Sequence, residues 1–424
     1  MKNFKDSGIE WLGEIPQHWK LIKCKNFFVL KSIPIGDLWN KTKLLSLTLN
    51  GVIERDINNT EGKFPSDFST YQIVKEGDLI FCLFDVAETP RTIGLSKLNG
   101  MITSAYTIFE IKNQEKRFLE YFFINLDNRK NLKFLYRGLR NTISKEDLLN
   151  LKIPLPPLKE QEQIANFLDK KCEQIKNFIE KKEKLINLLK EQKQALINET
   201  ITKGLDKNVN FKDSGIEWLG EIPQHWEIRK LKYIISDKLT YGANETAELS
   251  IKEYPRYIRI TDFDENGFLK NDTFKSLPLE IAKNFLLNEG DILFARSGAT
   301  VGKTFHFKNY QGMACYAGYL IKASINQKIA LSDYIFYYTK SYYYMQWKEL
   351  ILNKATIENI GADKYSELKI SFPPLKEQEQ ITNFLDEKCK KIDLLIEKTE
   401  KQIKLIKEYK TTLINQAVCG RINL

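Results

Sequence analysis

The stretch Ser297-Gly298-Ala299-Thr300-Val301-Gly302-Lys303-Thr304 comes nearest to a reactive motif in this chain. A phosphate-binding loop requires G-x-x-x-x-G-K-[ST] between a strand and a helix. Here Ser297 holds the first glycine's place and Gly298 is one residue too close, while Phe305-His306-Phe307 continues in strand-like alternation. The stretch therefore reads as a β-turn with Arg296 and Lys303 beside it, available to face phosphate. An adenine methyltransferase would show an acidic or amide residue before Pro-Pro-aromatic, with a glycine-rich cofactor loop. Leu155-Pro156-Pro157-Leu158 and Phe372-Pro373-Pro374-Leu375 do not qualify. Carboxylate and lysine triplets such as Glu180-Lys181-Lys182 lie on a helical pattern and read as solvated face, and His18 and His225 beside Trp19 and Trp226 read as structural. Six cysteines at 24, 82, 172, 315, 389 and 419 form no Cys-x-x-Cys pair, and only three histidines could join them. Neither a zinc site nor a disulfide framework follows. The expectation is a chain that is not itself an enzyme and holds no metal or cofactor.

Basic residues next to glycines and amides suit nucleic acid better than catalysis. Arg91, Lys97, Arg137, Arg140 and Asn141 are the candidates in the first half; Arg296, Ser297, Lys303, Lys354 and Thr356 are those in the second. Arginine and lysine can bind phosphate or grip guanine bidentately, and asparagine can pair with adenine in the major groove. Tyr342-Tyr343-Tyr344 with Trp347 reads as a helical aromatic core in preference to a base-stacking platform.

Two long helical patterns must position these groups. From Pro156 the chain reads Pro-Pro-Leu-Lys-Glu-Gln-Glu-Gln-Ile and runs to Gly204 without another proline or glycine beyond Pro157; from Pro373 it repeats those nine residues and runs to Gly420. A four-three apolar step aligns Leu168, Cys172, Ile175, Ile179, Ile186, Leu189 and Leu196 in the first, and Leu385, Cys389, Ile392, Ile396, Ile403, Ile406, Leu413 and Ala417 in the second. Roughly 44 residues at about 1.5 Å each make a rod of about 65 Å. So narrow a seam is most simply covered by the other rod.

Residues 4–19, from Phe4 through Gly13-Glu14-Ile15-Pro16 to Trp19, recur without change at 211–226. Between each opening and its rod lie strand-like runs and turns, with Gly77-Asp78-Leu79-Ile80-Phe81 answered by Gly290-Asp291-Ile292-Leu293-Phe294. A helix is expected over Arg117–Leu135. The expected fold is α+β: two mixed α/β domains separated by two long antiparallel coiled-coil helices, an internal tandem duplication in a pseudo-twofold arrangement. The expected divisions are 1–155, 156–204, 205–372 and 373–424. Identical openings with divergent middles imply two readers that share a partner and differ in what they read.

Hydrophobic content of 42% argues for folded, well-cored domains, and a net charge of +10 favours a polyanionic partner. The longest apolar run, Leu79 to Phe84, is far short of a membrane span, and Met1 to Asp6 shows no export signal. A reducing cytoplasm is the expected compartment.

Taken together, the Gly-Glu-Ile-Pro-x-x-Trp openings, the run from Gly290 to Thr304 and the paired Pro-Pro-Leu-x-Glu-Gln helices resemble the specificity subunit of type I restriction-modification enzymes over the whole chain. The resemblance implies two target-recognition domains, each reading half of an asymmetric, bipartite site in double-stranded DNA, with the rods as spacer. It implies two modification subunits that dock on rods and openings, for which Trp11, Trp19, Trp218, Trp226, Glu160, Gln161, Glu377 and Gln378 are the candidates. Those subunits would bring S-adenosylmethionine and methylate adenine, and restriction subunits would use ATP and magnesium to translocate and cut DNA. Asp85 to Arg91 departs from the Arg296 to Ala299 turn, which weakens the carry-over there. The competing class is a coiled-coil adaptor with two protein-binding heads; a self-contained methyltransferase-nuclease is disfavoured by its missing motifs.

Overall fold

Both openings fold by the same local rules. Phe4–Asp6 pairs antiparallel with Glu14–Pro16, and Phe211–Asp213 pairs with Glu221–Pro223 in the same register. Asp6 and Asp213 accept the backbone N–H of Gly8 and Gly215 at 2.9 Å, and both glycines adopt positive φ, a conformation in which other residues are strained. The turn delivers Ile15 and Trp19, or Ile222 and Trp226, fully buried into the core.

The computed structural model describes residues 3–56, 67–136, 141–264, 267, 269–270, 272–353 and 358–423. The chain divides into two compact units, Met1–Glu183 with Glu400–Leu424, and Lys184–Thr399. The units do not follow linear order, because each long helix is shared between them.

In the first unit, strands β1 (Phe28–Lys31), β2 (Leu79–Phe81), β3 (Ile93–Leu95) and β4 (Thr107–Ile111) form an antiparallel sheet in the order β1-β4-β2-β3. Helix α1 (Lys116–Asn128) covers one face, burying Phe118, Phe122, Phe123 and Leu126 against Phe81 and Phe109. The expected helix to Leu135 is interrupted: Lys130 takes a left-handed conformation at φ 53, and a short 3-10 turn, Asn131–Leu135, follows. The other face carries the hairpin Leu45–Thr48 and Gly51–Glu54, whose Leu45, Leu47 and Val52 pack on Ile80 and Ile108.

The first long helix, α2 (Leu158–Lys203), starts directly after Pro156-Pro157 and ends at Gly204, whose φ of 72 provides the left-handed stop. In the second unit, β5 (Thr240–Tyr241), β6 (Ile292–Ala295), β7 (Thr304–His306) and β8 (Leu320–Ala323) repeat the sheet as β5-β8-β6-β7. Helices α3 (Ser332–Thr339) and α4 (Tyr342–Leu352) cover it, with Tyr344 and Trp347 buried and Tyr342 exposed. The aromatic run is thus core for two of its members. The second long helix is α5 (Leu375–Val418).

Within the first unit, Ile164, Leu168 and Ile175 near the start of α2 share a core with Leu413, Ile414 and Ala417 near the end of α5. Within the second, Ile197 and Ile201 near the end of α2 share a core with Ile381, Leu385 and Cys389 near the start of α5. Start meets end in both cases, so the two helices run antiparallel, and the apolar seam is the buried one. A bond from Lys193 Nζ to Asp393 at 2.7 Å ties their flanks in the second unit. Leu188, Leu394 and Leu395 remain exposed on the helices there, as do Phe178, Leu405 and Tyr409 in the first unit.

Candidate nucleic-acid interface

In the second unit all of β6 is buried, and the chain emerges at Arg296. The following turn closes on itself. Val301 N–H donates to Gly298 at 2.9 Å, Gly302 N–H to Ala295 at 2.9 Å and Lys303 N–H to Thr300 at 2.9 Å, while Gly298 and Gly302 take positive φ. A phosphate loop needs those amides aimed at a ligand; here they are engaged internally and a strand follows.

The turn is held from beneath by buried phenols. Tyr344 hydroxyl donates to Gly302 C=O at 2.7 Å and Tyr365 hydroxyl donates to Ala295 C=O at 3.0 Å, and burial raises both phenols far above their ordinary range. Ile360 N–H donates to Arg296 C=O at 2.8 Å, and Ser297 bridges Asn359. The Arg296 guanidinium lies 4.9 Å over the ring of Tyr241, and its buried Nε has no protein partner. Arg296 N–H donates to the carbonyl of Tyr319, whose side chain is 65% exposed. Lys303 stands exposed at the turn's end.

Tyr241 and Tyr319 were not candidates from sequence, although both adjoin glycine. Gly242 and Gly318 flank the parallel bridge between Ala243 and Ala317, and a Cβ on Gly242 would lie 2.2 Å from Tyr316 oxygen. Glycines let the two segments approach this closely, and that approach sets the ring of Tyr241 and the backbone of Tyr319 against Arg296. The outcome is a half-buried cation over one aromatic ring, with exposed Lys303 nearby, on an over-determined turn suited to phosphate and base-edge contact.

The same position in the first unit differs chemically. By sheet register Leu83 stands where Arg296 does and Thr92 where Lys303 does; the connection spans 82–92, against 295–303 in the second unit. Arg91 is corrected: its Nη1 bonds Asp127 at 3.0 Å and Asn128 at 3.1 Å, so it braces the fold. Asp127 is buried and also accepts from Thr92 Oγ1 at 2.8 Å and Lys130 at 3.1 Å. Such a carboxylate demands this saturation. Lys97 is exposed, near the carboxyl of Glu120, whose pKa burial raises and Lys97 moderates. Asn141 is exposed and its C=O accepts from Asp85 N–H at 2.7 Å, beside a bridge from Phe84 to Thr142 that matches Ser297 to Asn359. Arg137, Arg140, Lys354 and Thr356 lie outside the described residues.

The candidate partner contacts divide as well. Trp19, Trp226, Gln161 and Gln378 are fully buried and are corrected to structural roles. Gln161 donates to Pro156 C=O at 2.9 Å and to Gln114 at 2.6 Å, and accepts from Glu115 N–H at 3.1 Å. Gln378 donates to Pro373 C=O and accepts from Leu331 N–H, both at 2.9 Å. Each glutamine locks a mixed domain to the start of its long helix. Glu160 pairs with His18 and Glu377 with His225, each at 2.8 Å, and Trp226 Nε1 donates to Glu377 at 3.0 Å. Trp11 and Trp218 are half-buried, Trp11 stacking on Phe134 at 5.5 Å. A second clamp joins Tyr121 hydroxyl to Asp169 at 2.7 Å and Tyr337 hydroxyl to Asp386 at 2.6 Å. Among the described residues, no group of three or more His, Cys, Asp or Glu is arranged to hold a metal ion, and no helix is long and apolar enough to cross a membrane.

The profile of the type I restriction modification DNA specificity domain matches residues 53–196 and again 223–405. The chain belongs to this family. It carries the family's DNA specificity domain twice, and its role is recognition, without catalysis of its own. A relative, the type I restriction enzyme MjaVIII specificity subunit of Methanocaldococcus jannaschii, is 28% identical over 374 residues, covering 83% of this chain and 80% of its own. The fold is shared with a chain from a solved type I restriction-modification system (TM-score 0.72, 16% identity, 96% of this chain and 99% of that one). It is also shared with the HsdS subunit from Thermoanaerobacter tengcongensis (TM-score 0.57, 17% identity, 98% and 100%).

Proposed function

We propose that this chain serves as the specificity subunit of a type I complex in which each unit reads one half of an asymmetric, bipartite site in double-stranded DNA. One observation carries the reading: identical openings and matching clamps support two frameworks whose corresponding turns carry Arg296 and Lys303 in one and the buried Leu83 and Thr92 in the other. A shared framework supports a shared partner, and unlike turns support unlike half-sites. In the second unit the turn 296–303 with Tyr241 and Tyr319 is the reading surface; in the first, Lys97 and Asn141 are the remaining described candidates, with Arg137 and Arg140 beside Asn141 in sequence. Lys354 and Thr356 occupy the corresponding stretch of the second copy.

Two modification subunits dock on the openings and long helices in this reading. Half-buried Trp11 and Trp218, and exposed Leu188, Leu394, Leu405 and Tyr409, support such docking, because apolar side chains on a helix already seated on its partner are suited to a further protein. S-adenosylmethionine, ATP and magnesium belong to the modification and restriction subunits, and the complex works in the cytoplasm. The test is single-molecule sequencing of DNA from cells carrying this chain with a modification subunit, compared with cells lacking the chain. A bipartite motif with one methyl-adenine on each strand, lost on deletion, is the expected result; unchanged methylation with an active modification subunit refutes it.

A further inference from the structure

Just after each opening, the chain pairs with the strand that leads into its long helix. Lys20–Lys23 runs antiparallel to Lys152–Leu155, and Glu227–Lys230 to Lys369–Phe372. The register sets Lys23 directly opposite Lys152 and Lys230 directly opposite Lys369. Like charges so placed repel, yet both copies keep the pair. A further lysine stands two positions on in each, Lys25 in the first unit and Lys232 in the second.

The second copy shows what such a seat takes. The Glu367 carboxylate receives Lys230 on one oxygen and Lys232 on the other, both at 2.5 Å, and the two ammoniums pull its carboxyl down to about 2. Glu227 is likewise matched by Arg229 at 2.9 Å. In the first unit the corresponding positions are Asn150 and Lys20, so one carboxylate is missing and a cation replaces the other. Lys20, Lys25 and Lys152 are exposed and Lys23 is half-buried, and among the described residues none of the four has an ion-pair partner. Glu146 and Asp147 lie on the adjoining helix Lys145–Asn150 at the end away from Asn150, where Asp147 accepts from the Ser144 hydroxyl at 2.6 Å.

We propose that Lys23, Lys25 and Lys152 form a seat for backbone phosphates of the bound duplex, open in the first unit and closed by Glu367 in the second. The proposal rests on the reading that this chain holds DNA. Ammonium groups bind phosphate as point charges, and two observations favour DNA over an acidic protein. A protein docking on both identical openings would meet the same charges twice, whereas this seat differs between the copies, as an asymmetric duplex allows. The first unit's turn also carries the buried Leu83 and Thr92 where the second carries Arg296 and Lys303, so the first unit's cations for a polyanion are moved from the turn to the strand pair. The helix Lys145–Asn150, about 9 Å long, leads from the Phe84–Thr142 bridge beside that turn towards the seat, a span of about three base steps.

The test is fluorescence anisotropy of a labelled duplex carrying the methylated motif, titrated with the assembled methylating complex over a series of salt concentrations. Asn150→Glu gives the first unit the carboxylate that the second has, without removing a lysine. It should lower the slope of log affinity against log salt by about 1.8, two phosphate contacts at about 0.9 each. Lys23→Ala combined with Lys25→Ala should lower it equally, Asn150→Gln should keep the parent slope, and methylome sequencing should find the same bases methylated in every variant. An unchanged slope with both Asn150→Glu and the double lysine variant, in complexes that still bind and methylate, overturns the proposal and leaves the specificity reading intact. Loss of a modification subunit from these variants with the slope unchanged also overturns it, and assigns the seat to an acidic protein. A parent complex that neither methylates nor binds duplex DNA overturns the specificity reading itself and this proposal with it.

Discussion

Lys340 allows the recognition turn's surroundings to be probed through pH. It follows α3, donates to Thr304 C=O at 2.9 Å and lies 4.6 Å over the ring of Phe336. Burial, reinforced by Lys303 and Lys193 and opposed by Asp264, pulls its ammonium from 10.5 to about 8. Below about pH 8 both folded and unfolded chains hold the proton, and the folded state bears the full penalty. Between about 8 and 10.5 the unfolded chain still holds a proton that the folded one has released, so stability rises with pH across that window. At about 1.4 kcal/mol per pH unit the penalty is about 3 kcal/mol. Lys340→Met removes the charge, keeps an apolar stem on Phe336, and loses one hydrogen bond worth about 1 kcal/mol. The variant should be more stable than the parent by about 2 kcal/mol at pH 7, with the advantage vanishing and slightly reversing near pH 10.5. Urea denaturation followed by circular dichroism from pH 6.5 to 10.5 measures the difference, and titrations common to both proteins cancel. A constant difference over that range, or a variant less stable at pH 7, refutes the reasoning.

Replacing Lys303 by alanine should lower the slope of log affinity against log salt by about 0.9 if it contacts one phosphate, as read by anisotropy of labelled DNA with the methylating complex. Arg296→Ala should lose about 1–3 kcal/mol for the second unit's half-site alone, seen as relaxed methylation of that half. Tyr344→Phe leaves the Gly302 carbonyl without its buried donor and should destabilise the second unit by about 1–3 kcal/mol; denaturation and half-site methylation report it together. A four-residue deletion within Ile186–Leu196 should change the number of unspecified bases between half-sites while both half-sites keep their sequence; methylome sequencing showing altered half-site bases would sink that view.

Repetition and period were legible without a structure. The duplicated opening, the two rods and the Pro-Pro and Gly boundaries are local properties: a four-three apolar step makes a helical seam, proline starts it and glycine stops it wherever they occur. The absence of catalytic motifs and the resemblance to a DNA-specificity family were likewise local readings. Side-chain roles were not local. Arg91 and Arg296 look alike as basic residues near turns, yet Asp127, thirty-six positions away, binds one into the fold, while the other lies over the ring of Tyr241. Gln161 and Gln378 sit in polar helix starts and still end buried, because each meets the backbone of a mixed domain remote in sequence. Tyr241 comes to Arg296 only where two glycine segments press together, and Asn125 meets Asn415, 290 positions away, only in the folded unit. Sequence pattern reports what a residue prefers; which long-range partner reaches it first is decided by packing.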